Sequence, residues 1–266
     1  RGFVGRLTDV VSDASPRRVV RLLRNGAALR LQPEAWLDSV LLQLHRHLPN
    51  LHEGVPSALH SLSALRCSDP ELAELLLTQG MIVSGEHNDI YFAKLFESWS
   101  LHGLTHSGAE KKAAALATAV AKGGALPDIR DALNLLAGLL RCGDSHAAGK
   151  LEDQLVARLK DARGSEAAKA ITWMRRLALQ SSGLWHVCAD SVELALKDRA
   201  FVHNDLPDAI HAMASVLGSD PADGMLVVGL LKAAETQAAL PRYTATQALQ
   251  LLHAACLALL AAGGRA

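Results

Sequence analysis

The chain has 266 residues, 50% of them hydrophobic but only 4% aromatic, and its 27 lysines and arginines balance 27 aspartates and glutamates. So much apolar weight can bury a core, which excludes disorder as the starting assumption, and the zero formal charge excludes the global positive field that would alone announce a nucleic-acid binder. Ala and Leu dominate the apolar fraction and favour helix, while the longest apolar runs fall short of the ~20 residues that cross a bilayer, so the composition reads as helical and soluble.

The first 31 residues carry seven arginines (Arg1, Arg6, Arg17, Arg18, Arg21, Arg24, Arg30) against Asp9 and Asp13, a formal +5. Arg17, Arg18, Arg21 and Arg24 repeat at helical spacing and can line one helix face to meet successive phosphates. A solvated helix face, or the remnant of an Arg-rich presequence, gives the same pattern. The chain opens on Arg1 rather than Met, which leaves an upstream targeting piece open. Residues 1–31 are read as a basic segment with one helix, and 32–266 as one helical-repeat array.

From about residue 50 onward a two-helix unit recurs. One apolar residue near the end of each expected first helix sets its register: Leu65, Trp99, Leu140, Leu177, Leu217 and Cys256, separated by 34, 41, 37, 40 and 39 residues. Two turns earlier stand Ala58, Phe92, Leu133, Ala170, Ile210 and Leu249, all apolar. One turn earlier come Leu62, Leu95, Leu136, Trp173 with Met174, Met213 and Leu252. Second helices open at Asp69-Pro70, Asp144 and Asp220-Pro221, where an acid caps the N-terminus and Pro loses nothing at the first helical position. Gly80, Gly123, Gly124 and Gly164 are candidate left-handed stops. Pro127, Pro207 and Pro241 fall in first turns of first helices. Leu65-Arg66-Cys67-Ser68-Asp69 returns two periods later as Leu140-Arg141-Cys142-Gly143-Asp144. The last unit, residues 245–260, has a first helix and no room for a second, so the array is either capped there or continues further. Strand signals are almost absent. Units of this kind cannot bury their stripe alone and stack, so the expected fold is an all-α, right-handed α-solenoid of about six helix-turn-helix repeats of roughly 38 residues.

Arg66 and Arg141 each follow a register residue, with Arg175 and Arg176 near the same level, so stacking can align them into a ladder along a phosphate backbone; arginines at helix C-termini also complement the helix dipole. Lys111, Lys112 and Lys122 read as ordinary surface. Trp36, Trp99, Trp173 and Trp185 can stack bases, but Trp99 and Trp173 fall in the apolar register and read as core. Among the histidines, His102 and His106 have i,i+4 spacing, yet Gly103 and Gly108 make that stretch a turn, and no HExxH exists; no metal site is expected. Cys67, Cys142, Cys188 and Cys256 are widely spaced with no CxxC pair, which fits a reducing compartment; Cys67 and Cys142 read as small buried hydrophobes. Neither GxGxxG, GxxxxGK[ST] nor GxSxG occurs, so no cofactor, small-molecule substrate or enzymatic activity is expected.

The segments Val55 to Cys67 and Asp131 to Cys142, with their mixed small and large apolar residues and polar, acid-bearing turns, resemble the heptatricopeptide and octotricopeptide-type repeats of RAP-domain and FAST-kinase-like proteins. The resemblance spans residues 50–260. It implies a mitochondrial or other organellar protein that binds RNA. No RAP-like C-terminal domain is present and the charge is neutral, which suits a component of a larger assembly. The expectation is a structural, RNA-contacting repeat protein of a mitochondrial ribosome or RNA-processing assembly, touching ribosomal RNA through Arg17, Arg18, Arg21, Arg24, Arg66, Arg141, Arg175 and Arg176, beside neighbouring proteins and without membrane insertion. The alternative is a protein-binding scaffold with no RNA contact.

Overall fold

Several helices begin where a capping side chain stands ready. Asp69 precedes Pro70 and its Oδ1 accepts from the Leu72 N–H at 2.9 Å; Asn88 does the same for Tyr91 at 3.0 Å, and Asp144 for Ala147 at 3.0 Å. Each satisfies one of the N–H groups that a helix start leaves without an intrahelical partner. The computed structural model of the chain describes residues 10–31, 34–67, 69–85, 88–123, 126, 128–179, 181–197, 206–216, 227–232 and 243–263, and no strand occurs among them. The α-helices described from end to end are, in chain order, α1 (Pro16–Ala28), α2 (Glu34–His47), α3 (Val55–Ala64), α4 (Pro70–Ser84), α5 (Asp89–Ser100), α6 (Ser107–Ala121), α7 (Ile129–Arg141), α8 (Ser145–Lys160), α9 (Gly164–Arg176), α10 (Ser182–Lys197), α11 (Leu206–Val216) and α12 (Ala245–Gly263). Leu217, Gly124, Pro127, Asp220, Pro221 and Pro241 lie outside the described residues, as do Arg1 and Arg6.

The helices gather into two compact units, one of residues 1–127 with Asn134–Lys150, the other of Asp128–Leu133 with Leu151–Ala266. In the first, α1 packs on α2 and α3, α3 on α4 and α5, and α5 on α6. α1 and α3 thus each meet their own second helix and the first helix of the next hairpin. The helix of the basic N-terminal segment makes the same two kinds of contact as α3 does. Trp36, Leu44, Leu59, Leu62, Leu76 and Leu95 are fully buried there, each contributing about 1.5–3 kcal/mol. In the second unit α9 packs on α10 and α11, and α11 on α12.

A shared ending marks the first helices. Arg30, Arg66, Gly143 and Ala178 follow α1, α3, α7 and α9 with φ of 52°, 55°, 80° and 54°. After each, the next N–H reaches back five residues: Leu31 to Gly26 O, Cys67 to Leu62 O, Asp144 to Leu139 O and Leu179 to Met174 O, at 2.9–3.1 Å. This left-handed closure satisfies carbonyls that the helix end leaves open. Gly103, after α5, is left-handed too, at φ 65°. The five positions are separated by 36, 37, 40 and 35 residues.

Several sequence expectations shift in register. Leu65, Trp99 and Leu177 are buried, but Leu140 is 42% exposed and Leu139 takes its place in the core. In α12 Leu249, Leu252 and Cys256 face outward, and Leu251, Ala254 and Ala258 are buried instead. A helix rich in Ala and Leu on every side offers no clear moment, so periodicity alone cannot choose its phase. Gly123 does adopt φ +88°, whereas Gly80 lies inside α4 and Gly164 opens α9. Gly85, at φ +52°, ends α4. The Leu-Arg-Cys repeat does not superimpose. Its left-handed residue is Arg66 in one copy and Gly143 in the other, and the following turn reaches its capping aspartate, Asp69 or Asp144, two residues sooner in the second. Arg66 and Arg141 are therefore not equivalent. Among the described residues no helix is long and apolar enough to cross a membrane.

Candidate nucleic-acid interface

Helix α1 separates its two faces cleanly. Val19, Val20, Leu23 and Gly26 are buried, while Arg17, Arg18, Arg21 and Arg24 are all exposed. At 100° per residue Arg17, Arg21 and Arg24 fall on one stripe and Arg18 flanks it. Gly26 has to be small, because a Cβ there would run into the ring of Trp36, and this close approach presses the apolar face onto α2 and turns the arginines outward. Among the described residues none of the four meets a carboxylate. The arrangement can neutralise phosphates along a backbone without reading bases.

Within the first unit Arg66 and Arg141 do not form a ladder. Arg66 is exposed and lines a pocket of about 240 Å³ with Ser63, Cys67, Asp69, Leu101 and His102. His102 Nε2–H donates to Leu59 O at 3.0 Å, and burial pulls its pKa below the ordinary histidine value against the opposing pull of that bond. Arg141 bends inward: its Nη1 donates to Glu97 Oε1 at 2.8 Å and lies 3.4 Å from both Glu97 O and Ser100 Oγ. The side chains are 26% and 8% exposed, so this is a partly buried charge pair joining α7 to α5. Arg141 spends its charge on the protein, and a phosphate would have to compete with Glu97 for it.

Arg175 and Arg176 diverge from the end of α9. Arg175 Nη1 donates to His211 Nδ1 at 2.7 Å, and His211 in turn donates from Nε2 to His253 Nδ1 at 2.9 Å, which ties α9, α11 and α12 together. Burial first, then electrostatic repulsion from Arg175 and from His253 when it is protonated, lowers the pKa of His211, with Asp208 acting the other way. The guanidinium of Arg176 lies 4.5 Å from the ring centroid of Trp173, and that of Arg130 lies 5.9 Å from it. Trp173 is half-buried, whereas Trp36, Trp99 and Trp185 are buried. The expectation that Trp173 is core is corrected: it stands at the edge of the core with two cations near its ring.

Sequence reasoning missed Arg130, whose Nε donates to Asp128 at 3.1 and 3.0 Å and whose Nη2 donates at 2.5 Å. It also set aside Lys112, whose Nζ reaches Gly85 O at 2.5 Å and Ser84 Oγ at 3.2 Å while lying 4.7 Å from the Phe92 ring. Lys112 closes the C-terminus of α4, where cations are favoured. Only the Asp128-x-Arg130 spacing was visible in the sequence.

His102 and His106 lie in the turn between α5 and α6. His106 Nδ1 accepts from the Ala109 N–H at 3.1 Å and so caps α6, an occupation unrelated to metal binding. Among the described residues no group of three or more His, Cys, Asp or Glu gathers as a metal site would require. Cys67 and Cys142 are half-buried rather than fully so, Cys188 is buried and Cys256 exposed; all four are free thiols. Burial raises the pKa of Cys67, that of Cys142 to about 11 and that of Cys188 to about 12, so none of these three is poised as a thiolate. No family model matches this chain, and no curated protein matches it.

Proposed function

We propose that this protein binds RNA through the phosphate backbone, as a non-enzymatic helical-repeat component of a mitochondrial ribosome or RNA-processing assembly. The observation that carries this reading is the exposed arginine face of α1, four guanidinium groups with no carboxylate partner among the described residues, on a chain whose overall charge is zero. Positive charge concentrated on one helix face of a chain that is neutral overall is what backbone contact at a single place requires. The recurring left-handed helix endings support a stacked hairpin array, which we read as a right-handed solenoid of repeats of roughly 38 residues. The mitochondrial placement rests on the resemblance to organellar repeats.

The test is to replace Arg17, Arg18, Arg21 and Arg24 together by glutamine and measure the affinity for RNA at fixed salt. Binding should fall by an order of magnitude or more, roughly evenly across sequences. Affinity equal to that of the parent would sink the reading.

A second reading, a protein-binding scaffold, is favoured by α12, where Leu249, Leu252, Leu259 and Leu260 are each more than 60% exposed. Apolar surface of this kind accompanies protein contact. Nuclease treatment of the native assembly separates the two readings: an RNA-held protein is released, and a scaffold stays attached.

A further inference from the structure

We propose that Trp173 is a stacking platform for one unpaired nucleobase, which enters between its indole ring and the guanidinium of Arg130 and makes the protein prefer single-stranded RNA to duplex. This rests on the RNA-binding reading above and adds to it the kind of RNA and a second contact point. Three observations carry it.

The first is the residue type. Five positions before the left-handed residue, the other first helices carry Asn25, Ser61, Ser98 and Gly138, and α9 carries Trp173. Three of those four are small residues at crowded places: Ser61 and Ser98 are buried, and a Cβ on Gly138 would lie 2.5 Å from the Phe96 ring. Packing between first helices calls for a small side chain at this level, so the indole is not explained by the core, and it stays half-buried at the edge.

The second is the spacing. A base stacked on both sides needs about 7 Å between the flanking planes, two layers of ~3.4 Å. The guanidinium carbon of Arg130 stands 5.9 Å from the indole centroid, so a shift of at least about 1 Å in an exposed side chain opens the slot. Bases stack on guanidinium planes as they do on aromatic ones. The bonds from Arg130 to both carboxylate oxygens of Asp128 hold its plane from the side, so less freedom is lost when the base enters.

The third is the charge beside the slot. Arg176, 4.5 Å from the same ring, and the exposed Lys169 one turn before Trp173 on the same helix face place cations beside the slot for the backbone of a stacked nucleotide. A base in a duplex is already stacked and paired, so only an unpaired one can use the slot.

The experiment measures binding of a 12-nucleotide oligo(A) and of a 12-base-pair A·U duplex RNA to the parent chain, to Trp173→Ala and to Trp173→Phe, with tryptophan emission followed during titration. Trp173→Ala should weaken oligo(A) binding roughly tenfold or more and leave the duplex unchanged, and Trp173→Phe should stay close to the parent. Oligo(A) should quench the emission of the parent but not that of Trp173→Phe. Equal oligo(A) affinity in Trp173→Ala and the parent overturns the platform while leaving RNA binding in place. Equal losses for both RNAs, without rescue by phenylalanine, also overturn it and assign Trp173 to structure. A parent chain that binds neither RNA overturns the RNA reading itself.

Discussion

Arg66 occupies a left-handed backbone position that glycine fills after α5 and α7, at Gly103 and Gly143. A side chain there brings Cβ close to the following carbonyl, at about 1 kcal/mol or more, so Arg66→Gly should raise the urea midpoint by up to ~1 kcal/mol equivalent, and Gly143→Ala should lower it by about as much. The substitution at Arg66 doubles as a control, since loss of its charge should barely change RNA affinity if α1 carries the contact. His102 sets a pH dependence. Its folded pKa lies below the ordinary value because burial disfavours the cation, so the unfolded chain takes up the proton more readily. Stability is then full above about pH 6.5 and falls as pH drops through the folded value. Unfolding at pH 7.5 and 5.5 should show that loss, and His102→Gln, which can still donate to Leu59 O, should make it shallower.

At the scale of helices, successive first helices are joined by specific long-range pairs. Gly138 on α7 touches Phe96 on α5, with the distance to a hypothetical Cβ only 2.5 Å. Gly138→Ala should therefore cost about 1–3 kcal/mol by overpacking, although alanine is the better helix former, and thermal unfolding reads the sign directly. The Glu97–Arg141 pair joins the same two helices. Arg141→Ala leaves the buried Glu97 carboxylate uncompensated and should cost about 3 kcal/mol or somewhat less, given the part exposure of Arg141. The double variant with Glu97→Gln should recover part of that loss. An arginine that acted only on RNA would change affinity and leave the melting temperature alone.

For the whole molecule, zero net charge makes local charge decisive. The dependence of RNA affinity on salt should be modest in the parent and should flatten further when the four α1 arginines become glutamine, the logarithmic slope falling by up to about 3 for single strands. An unchanged slope would place the phosphate contact elsewhere. Two compact units share α7, which gives its first residues to one and the rest to the other. The hydrogen-bonded endings of α1 and α3 in the first unit recur after α9 in the second, so one local rule serves both.

Helical content, the capping aspartates Asp69 and Asp144, the turn at His102–His106 and the outward stripe of α1 were legible in the sequence, because each depends on residues three or four positions apart or on the chemistry of one turn. Which side of α12 is buried, why Gly80 is small, what Arg141 pairs with and where Trp173 stands were decided only by the tertiary structure. The partners that settle them, Leu95, Glu97 and Arg130 among them, lie some 15 to 45 residues away along the chain. In helices this rich in Ala and Leu, the sequence alone leaves several phases of the buried stripe nearly equal in energy. The neighbouring helix selects among them.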